Sequence, residues 1–274
     1  MTPPGNFWVE VDVSKVTRLI CLVLLMSSHL PFSIPSKLPR KITRCPILEA
    51  VMEIRFVPRR PWDHFPGLFA DKFSAKYPKE EDTGIAQLPQ VIRDQDPRLR
   101  DLPYKRYVGE KFVLQVGPRV VGLVTKRNAY PGWDAFWPAM KDIIDNLRGM
   151  GVMNETVRLG LRYINFFGFD IFEQLSLTVS VGGAALRLPE TGFNTVFLQD
   201  NLRHFVQINN ASLIADGEKV MKGSILDIDT TTTNHIGNIS AEAEALFSQA
   251  HSAEKSVFFG LLKPEFVATL SPEY

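Results

Sequence analysis

The clearest pattern in the chain is a strict alternation of apolar and polar residues between positions 47 and 56. Apolar side chains occupy the even positions from Leu48 to Phe56, and the odd positions include Glu49, Glu53 and Arg55. Successive side chains of a strand point to opposite faces, so this period of two predicts a half-buried β-strand. One face of the strand is expected to join a core, and the other to carry charge.

Helical spacing of apolar residues follows this strand. Pro61 opens a predicted helix that continues to about Tyr77, and a second helix is predicted over 134–150. A charged loop is expected at 79–82 between the two helices. Strands are predicted at 85–92, 104–108, 111–116 and 120–126, with glycine-containing turns between the last three.

The second half of the chain repeats this order of elements. A strand is predicted at 157–167, a short helix at 171–175, and further strands at 177–181, 184–188, 196–198, 204–213 and 220–231. Ser240 is a predicted N-cap of the final helix, which continues to about Leu262 before Pro264 closes it. Each half therefore gives a strand, a helix, several strands and a long helix, with a repeat of about 110 residues.

Consecutive hairpins predict an α+β fold in which helices pack on one face of an antiparallel sheet. Residues 38–151 and 152–274 are expected to form two pseudo-repeated halves of a single domain, as in TBP-like or helix-grip arrangements. This comparison concerns the fold alone and carries no function. Residues 1–37 are expected to be an N-terminal extension.

The N-terminal extension contains an apolar run of eight residues, Leu19–Met26, after Lys15 and Arg18. Three interpretations stay open: a segment upstream of a true start at Met26, a signal or membrane anchor, and an ordinary amphipathic segment. The first is favoured, because a membrane-spanning helix needs about 20 apolar residues and a signal peptide needs a cleavage site that is not evident here. No membrane association is therefore predicted.

Composition and short motifs give no support to several kinds of partner, metal site and cofactor. The 31 basic and 30 acidic side chains leave a net charge of +1, which gives no reason to expect a nucleic-acid partner. Cys21 and Cys45 match neither a disulfide framework nor a zinc site, so a reducing cytoplasm is the predicted location. No phosphate-binding glycine motif occurs in the sequence, and no cofactor is predicted.

Charged side chains recur at alternate positions of three predicted strands. The pairs are Glu49 and Glu53, together with Arg55, on the first strand, Arg158 and Arg162 on a second, and Asp227 and Asp229 on a third. If these strands are neighbours, all seven charges line one surface of the sheet. Three interpretations follow: a ladder of ion pairs that fixes the register, a groove that binds a ligand or a peptide through its arginines, or a Mg²⁺ or Mn²⁺ site.

His251 on the final helix is a further candidate. A histidine on a helix surface is more often a packing or capping residue than a base, although Glu254 three positions later could orient it for proton transfer. The sequence marks no serine or cysteine nucleophile for such a base.

Five short motifs, taken together, resemble a sporadically distributed, uncharacterised family of bacterial proteins. The motifs, in chain order, are Pro46-Ile-Leu-Glu-Ala-Val-Met-Glu-Ile-Arg-Phe56, Tyr130-Pro-Gly-Trp133, Gly160-Leu-Arg-Tyr-Ile-Asn165, Leu226-Asp-Ile-Asp229 and Ala250-His251. The resemblance implies a bacterial origin and a short lead before the first strand, and it implies no activity. Phe258-Phe259 departs from the aromatic and acidic pair that is typical of that family.

The charged surface leads to two functional hypotheses. The favoured one is a non-catalytic binding protein that recognises another protein or a small polar ligand, in a mobile or defence-type locus. The alternative is a metal-dependent hydrolase or nuclease that uses Asp227 and Asp229 with a glutamate.

Overall fold

A computed structural model describes residues 30–185, 190–216, 219–234, 236–237 and 242–274. The apolar run at 19–26, the predicted start at Met26 and the predicted N-cap Ser240 lie outside these residues. Within the described residues, no helix combines the length and the apolar character needed to span a membrane.

The described residues form thirteen strands, five α-helices and two 3₁₀ turns. The strands are β1 (Lys41–Ile42), β2 (Ile47–Pro58), β3 (Lys79–Asp82), β4 (Lys105–Val108), β5 (Phe112–Val116), β6 (Val120–Thr125), β7 (Met153–Phe167), β8 (Ser180–Val181), β9 (Ala184–Ala185), β10 (Gly192–Gln199), β11 (Leu202–Asp216), β12 (Lys219–Thr232) and β13 (Pro272–Glu273). The α-helices are α1 (Phe65–Phe73), α2 (Gln90–Gln95), α3 (Trp133–Met150), α4 (Ala243–Leu261) and α5 (Pro264–Thr269). Two 3₁₀ turns lie at Trp62–His64 and Ile171–Gln174.

Nine strands form one antiparallel sheet in the order β10-β11-β12-β7-β2-β6-β5-β4-β3. The predicted α+β class and antiparallel sheet are confirmed. β2 and β7 pair at the centre, and the strands that follow each of them lie on its own side. The halves differ in detail, because a full helix follows β2 whereas a 3₁₀ turn follows β7. The internal repeat itself stays a prediction.

Helices α1, α3, α4 and α5 pack on one face of this sheet, which we call the helix face. Side chains from the even positions of β2 join apolar residues of α1, α3 and α4 in one continuous core. A second apolar cluster continues this layer beneath β11 and β12, where it contacts α4 and α5. We call the opposite side of the sheet the open face.

Two local predictions are wrong, and a third is incomplete. Residues 85–92 form turns and the start of α2 rather than a strand, because Pro89 cannot donate a ladder hydrogen bond and instead precedes the helix. The predicted charged loop at 79–82 is the edge strand β3, where charged side chains remain in solvent. Pro264 ends α4 as predicted, but it also occupies the first turn of a further helix, α5.

Candidate functional site

Strand register places the seven predicted charges on the open face. Arg162 of β7 lies opposite Asp229 of β12, and Arg158 lies opposite Arg55 of β2. Directly opposed residues of neighbouring strands share a face of the sheet, and so do alternate residues of one strand. Glu49 and Asp227 both lie opposite Ile164, and Glu53 lies opposite Gly160, so these carboxylates are on the same face as Arg158 and Arg162. The juxtaposition on which the binding hypothesis depends is therefore present, and the binding role stays a prediction.

One ion pair on this face combines a covered carboxylate with an accessible guanidinium. Arg162 donates from Nε to Asp227 Oδ1 over 2.8 Å and from Nη2 to Asp227 Oδ2 over 2.5 Å. The side chain of Asp227 is 8% exposed, whereas that of Arg162 is 43% exposed. The two parallel bonds fix the plane of the guanidinium, which presents its outer edge to solvent.

A second set of ion pairs extends across the face toward one end. Glu53 Oε1 accepts from Arg55 Nε at 2.7 Å and from Arg158 Nη2 at 3.4 Å, and Arg158 Nη2 lies 3.8 Å from Asp229 Oδ2. Arg55 also donates to Asp101, which comes from the connection between α2 and β4. The network therefore joins β12, β7 and β2 to a loop that closes this end of the face.

Burial and charge act in opposite directions on the carboxylates. Partial burial raises the pKa values of Glu49 and Asp229, while the neighbouring arginines lower them. The hydrogen bonds that Arg162 donates to Asp227 raise the pKa of its guanidinium. Within the described residues, no hydrogen bond to the Glu49 carboxylate occurs, so it remains an available acceptor.

One contact across the sheet indicates that the open face curves inward at the end where the β11–β12 hairpin lies. Arg127, which follows β6, donates from Nη1 to the carbonyl of Ala215 on β11 over 2.7 Å. In a flat sheet these strands would be about 19 Å apart, four strand spacings, which is beyond the reach of an arginine. The charge of Arg127 also lowers the pKa of Glu49, a residue of the open face. The register of β11 shifts at a bulge between Asn209 and Ser212, where Ala211 has a φ of 54°, and bulges of this kind bend a strand.

Apolar side chains flank the charged centre on the β10 side. Val196 lies opposite Phe205, and Phe205 lies opposite Asp229, so all three share the open face. Val196 and Leu198 are 42% and 41% exposed. The guanidinium of Arg203 lies 5.7 Å from the ring centre of Phe205. The concave surface therefore combines a charged centre with an apolar border.

His251, the further candidate on the final helix, lies on the other side of the sheet from the seven charges. Tyr163 points to the helix face, because it alternates with Arg162, and its hydroxyl lies 3.1 Å from His251 Nδ1. The Tyr130 hydroxyl lies 3.2 Å from the Tyr163 hydroxyl. Trp133 stacks on the imidazole, with ring centres 4.1 Å apart and planes 3° apart. His251 is thus held in an aromatic, hydrogen-bonded cluster.

Burial controls ionisation in this cluster. It lowers the pKa of His251 to about 3, an effect to which the charge of Lys255 adds. Burial raises the pKa of Glu254 to about 8, and it raises the pKa of Tyr163 well above its ordinary value. At neutral pH the imidazole is neutral, and Glu254 is largely protonated.

Tyr130, Trp133 and Tyr163 were not among the candidate residues that the sequence suggested. Their signal was nevertheless present, because each lies in a motif that carries the family resemblance, as does His251. Three of the five motifs therefore meet at one place in the fold. Alternation along single strands could not reveal this, since the contacts join a loop, a strand and two helices.

The described residues contain no group of three or more histidine, cysteine, aspartate or glutamate side chains that could hold a metal ion. Asp227 and Asp229 lie among arginines, whose positive charge opposes the binding of a cation.

Comparison with known proteins gives no relative: no family model matches the chain, and no significant match is found among curated proteins or among solved structures.

Proposed function

We propose that this protein is a non-catalytic binding protein that holds a segment of another protein in its concave open face. The observation that carries the proposal is the Arg162–Asp227 ion pair beside a network of partly exposed arginines and carboxylates on the floor of a concave sheet, bordered by exposed apolar side chains. We expect this function in the cytoplasm, where the exposed Cys45 stays reduced.

Stability alone is a weak explanation for these charges. Ion pairs that remain in contact with water contribute about 0–1 kcal/mol each. The network holds the guanidinium of Arg158 in a fixed orientation, and the pair with Asp227 does the same for Arg162, which is still 43% exposed. Preorganised donors of this kind bind carboxylates without a further loss of side-chain entropy.

A protein segment fits this surface better than a small ion does. The floor offers both signs of charge, namely the arginines and the available Glu49 carboxylate, and its border offers Val196, Leu198 and Phe205. Arginine and aromatic residues are enriched in protein interfaces. The net charge of +1 gives no support to a nucleic-acid partner.

The hypothesis of a metal-dependent hydrolase or nuclease makes a different prediction. A Mg²⁺ or Mn²⁺ site would raise the melting temperature of the wild type when the ion is added, and Asp227→Ala would remove that increase. The binding protein that we propose shows no such metal-dependent stabilisation. Thermal denaturation with and without each ion separates the two hypotheses.

The binding proposal is tested by quantitative capture from the native host. We expect Arg158→Gln/Arg162→Gln to retain at least about 10-fold less of a specific partner than the wild type, equivalent to roughly 1.4 kcal/mol. The matched control is Lys141→Gln/Arg148→Gln, which removes the same charge from the exposed side of α3. Equal recovery of the same partner by the wild type and both variants would contradict the proposal.

A further inference from the structure

The two edges of the nine-stranded sheet are composed in opposite ways. β3 forms one edge and consists of Lys79, Glu80, Glu81 and Asp82, all of them charged. β10 forms the other edge with the sequence Gly-Phe-Asn-Thr-Val-Phe-Leu-Gln, which contains neither a charge nor a proline. Charged residues and prolines are the usual means by which proteins prevent an edge strand from pairing with another chain. Such protection is present at β3 and absent from β10.

The geometry of β10 is also suited to pairing. All eight residues from Gly192 to Gln199 pair with β11 without a register shift. A bulge that would twist the edge away is therefore absent from this ladder. Val196 and Leu198 are 42% and 41% exposed along the same strand. Among the described residues, no strand pairs with the outer side of β10.

The hairpin turn determines which backbone groups point outward. Gln199 and Leu202 flank a two-residue turn and form a directly opposed pair, which such turns make a hydrogen-bonded pair. Hydrogen-bonded and non-hydrogen-bonded pairs alternate along an antiparallel ladder. The N–H and C=O groups of Asn194, Val196 and Leu198 therefore point away from β11.

From this edge we infer that β10 pairs antiparallel with β10 of a second copy of this chain, so that one sheet continues through a symmetric dimer. A two-fold axis at Val196 brings the outward groups of Asn194, Val196 and Leu198 opposite those of Leu198, Val196 and Asn194 in the second copy. Every outward donor then meets an outward acceptor. Val196 packs on its own counterpart, which is an apolar pair.

The absence of charge selects a second copy as the occupant. A strand that pairs with itself places each residue beside a fixed counterpart, so a single charged residue near the axis would create like-charge repulsion in every dimer. β10 has no such residue over its whole length. A strand for a different, charged partner would be expected to carry complementary charges, and β10 carries none.

The test is the oligomeric state of the full chain, measured by light scattering and sedimentation over a range of concentrations. We expect a dimer for the wild type. Val196→Lys places two ammonium groups at the axis and is expected to weaken dimerisation by at least about 100-fold. Val196→Pro keeps an apolar side chain but removes the outward N–H, and it is expected to weaken the dimer as well. The control is Leu213→Lys, an equally drastic change at an apolar residue that is 70% exposed on β11.

Hydrogen exchange separates loss of pairing from loss of folding. In the dimer, the amides of Asn194, Val196 and Leu198 exchange slowly. In Val196→Lys these three amides alone become fast while the core stays protected, and in Val196→Pro, which has no amide at position 196, those of Asn194 and Leu198 become fast. A wild type that remains monomeric at high concentration would overturn the inference. So would a dimer that survives both Val196 variants, or a dimer that forms only after residues 1–29 are removed, since the chain itself would then cover the edge.

Discussion

The helix face and the open face of the central sheet are built from alternate residues of the same strands, yet their physical properties differ greatly. On β2, Met52 and Ile54 are fully buried under the helices, while Glu53 and Arg55, which alternate with them, remain partly exposed in ion pairs. On β7, Tyr163 is buried in the aromatic cluster, and its neighbour Arg162 is 43% exposed. This difference indicates that the helix face supplies most of the stability of the fold, so the open face is the one to which we assign the proposed recognition role.

The largest expected effect breaks the apolar packing on the helix face. Phe69 is fully buried and contacts the rings of Phe65, Phe73 and Tyr107. We expect Phe69→Ala to lower the free energy of unfolding by about 3–5 kcal/mol. The counterpart is Phe205→Ala on the open face, for which we expect about 1 kcal/mol or less. Chemical denaturation measures both, and equal losses would remove the distinction between the faces.

The next prediction concerns the buried acid on the helix side. Folding raises the pKa of Glu254 from about 4.5 to about 8, so the folded state binds this proton more tightly than the unfolded state. The resulting stabilisation is fully present below the unfolded pKa and is lost as the pH rises through about 8, with a total on the order of a few kcal/mol. Glu254→Gln should remove this loss.

Denaturation of the wild type and of Glu254→Gln between pH 5 and 9 checks this prediction. The difference between the two proteins isolates Glu254 from His251, whose lowered pKa acts in the opposite direction. The stability that depends on neutral His251 is gained as the pH rises from about 3 to its ordinary value of 6.5. Parallel curves for the two proteins would contradict the assignment of a buried, protonated Glu254.

A smaller effect is expected from the hydrogen-bonded chain at Tyr163. The Tyr163 hydroxyl lies between the Tyr130 hydroxyl and the imidazole of His251. Tyr163→Phe therefore leaves each of these two partly buried groups with one hydrogen-bond partner fewer. We expect a loss of about 1–3 kcal/mol in the free energy of unfolding. Tyr107→Phe is the control, because the Tyr107 hydroxyl makes one long contact of 3.5 Å to Pro66. Similar losses for the two variants would show that the cluster contributes nothing specific.

The smallest effect is expected on the open face. Removing Arg162 leaves the covered carboxylate of Asp227 without its partner, whereas removing Asp227 leaves a guanidinium that water can solvate. We therefore expect Arg162→Ala to cost more than Asp227→Ala, and a double-mutant cycle to give a coupling of about 0.5–2 kcal/mol. A coupling well above the loss at Phe69 would mean that this pair is primarily structural.

The sequence predicted those features that depend on local periodicity. Alternation along β2, β7 and β12 was sufficient to group Glu53, Arg158 and Asp229, because parity alone decides which face a strand residue occupies. The prediction of a strand at 85–92 was wrong because it relied on an apolar pattern, whereas Pro89 cannot donate a strand hydrogen bond and instead precedes a helix. The Tyr130–Tyr163–His251 cluster depends on how α3 and α4 dock on the sheet, and periodicity within single elements contains no information on that docking.

The curvature of the open face could not be predicted from the sequence either. It depends on a bulge at Ala211 and on the contact between Arg127 and Ala215, two residues 88 positions apart. Nothing in the pattern of alanines and arginines indicates such a pairing. The lack of charged residues in β10, in contrast, can be read from the sequence. Only the sheet order shows that this uncharged strand lies at an edge.

The most direct test of the account is site-specific photo-crosslinking in the native host. A photoreactive residue at Gln207, which lies opposite Asp227 on the open face, should form a covalent adduct with one partner protein. The same residue at Lys141, on the exposed side of α3, should give no adduct with that partner. Adducts from Lys141 but not from Gln207, or none from either position, would contradict the claim that the open face is a recognition surface.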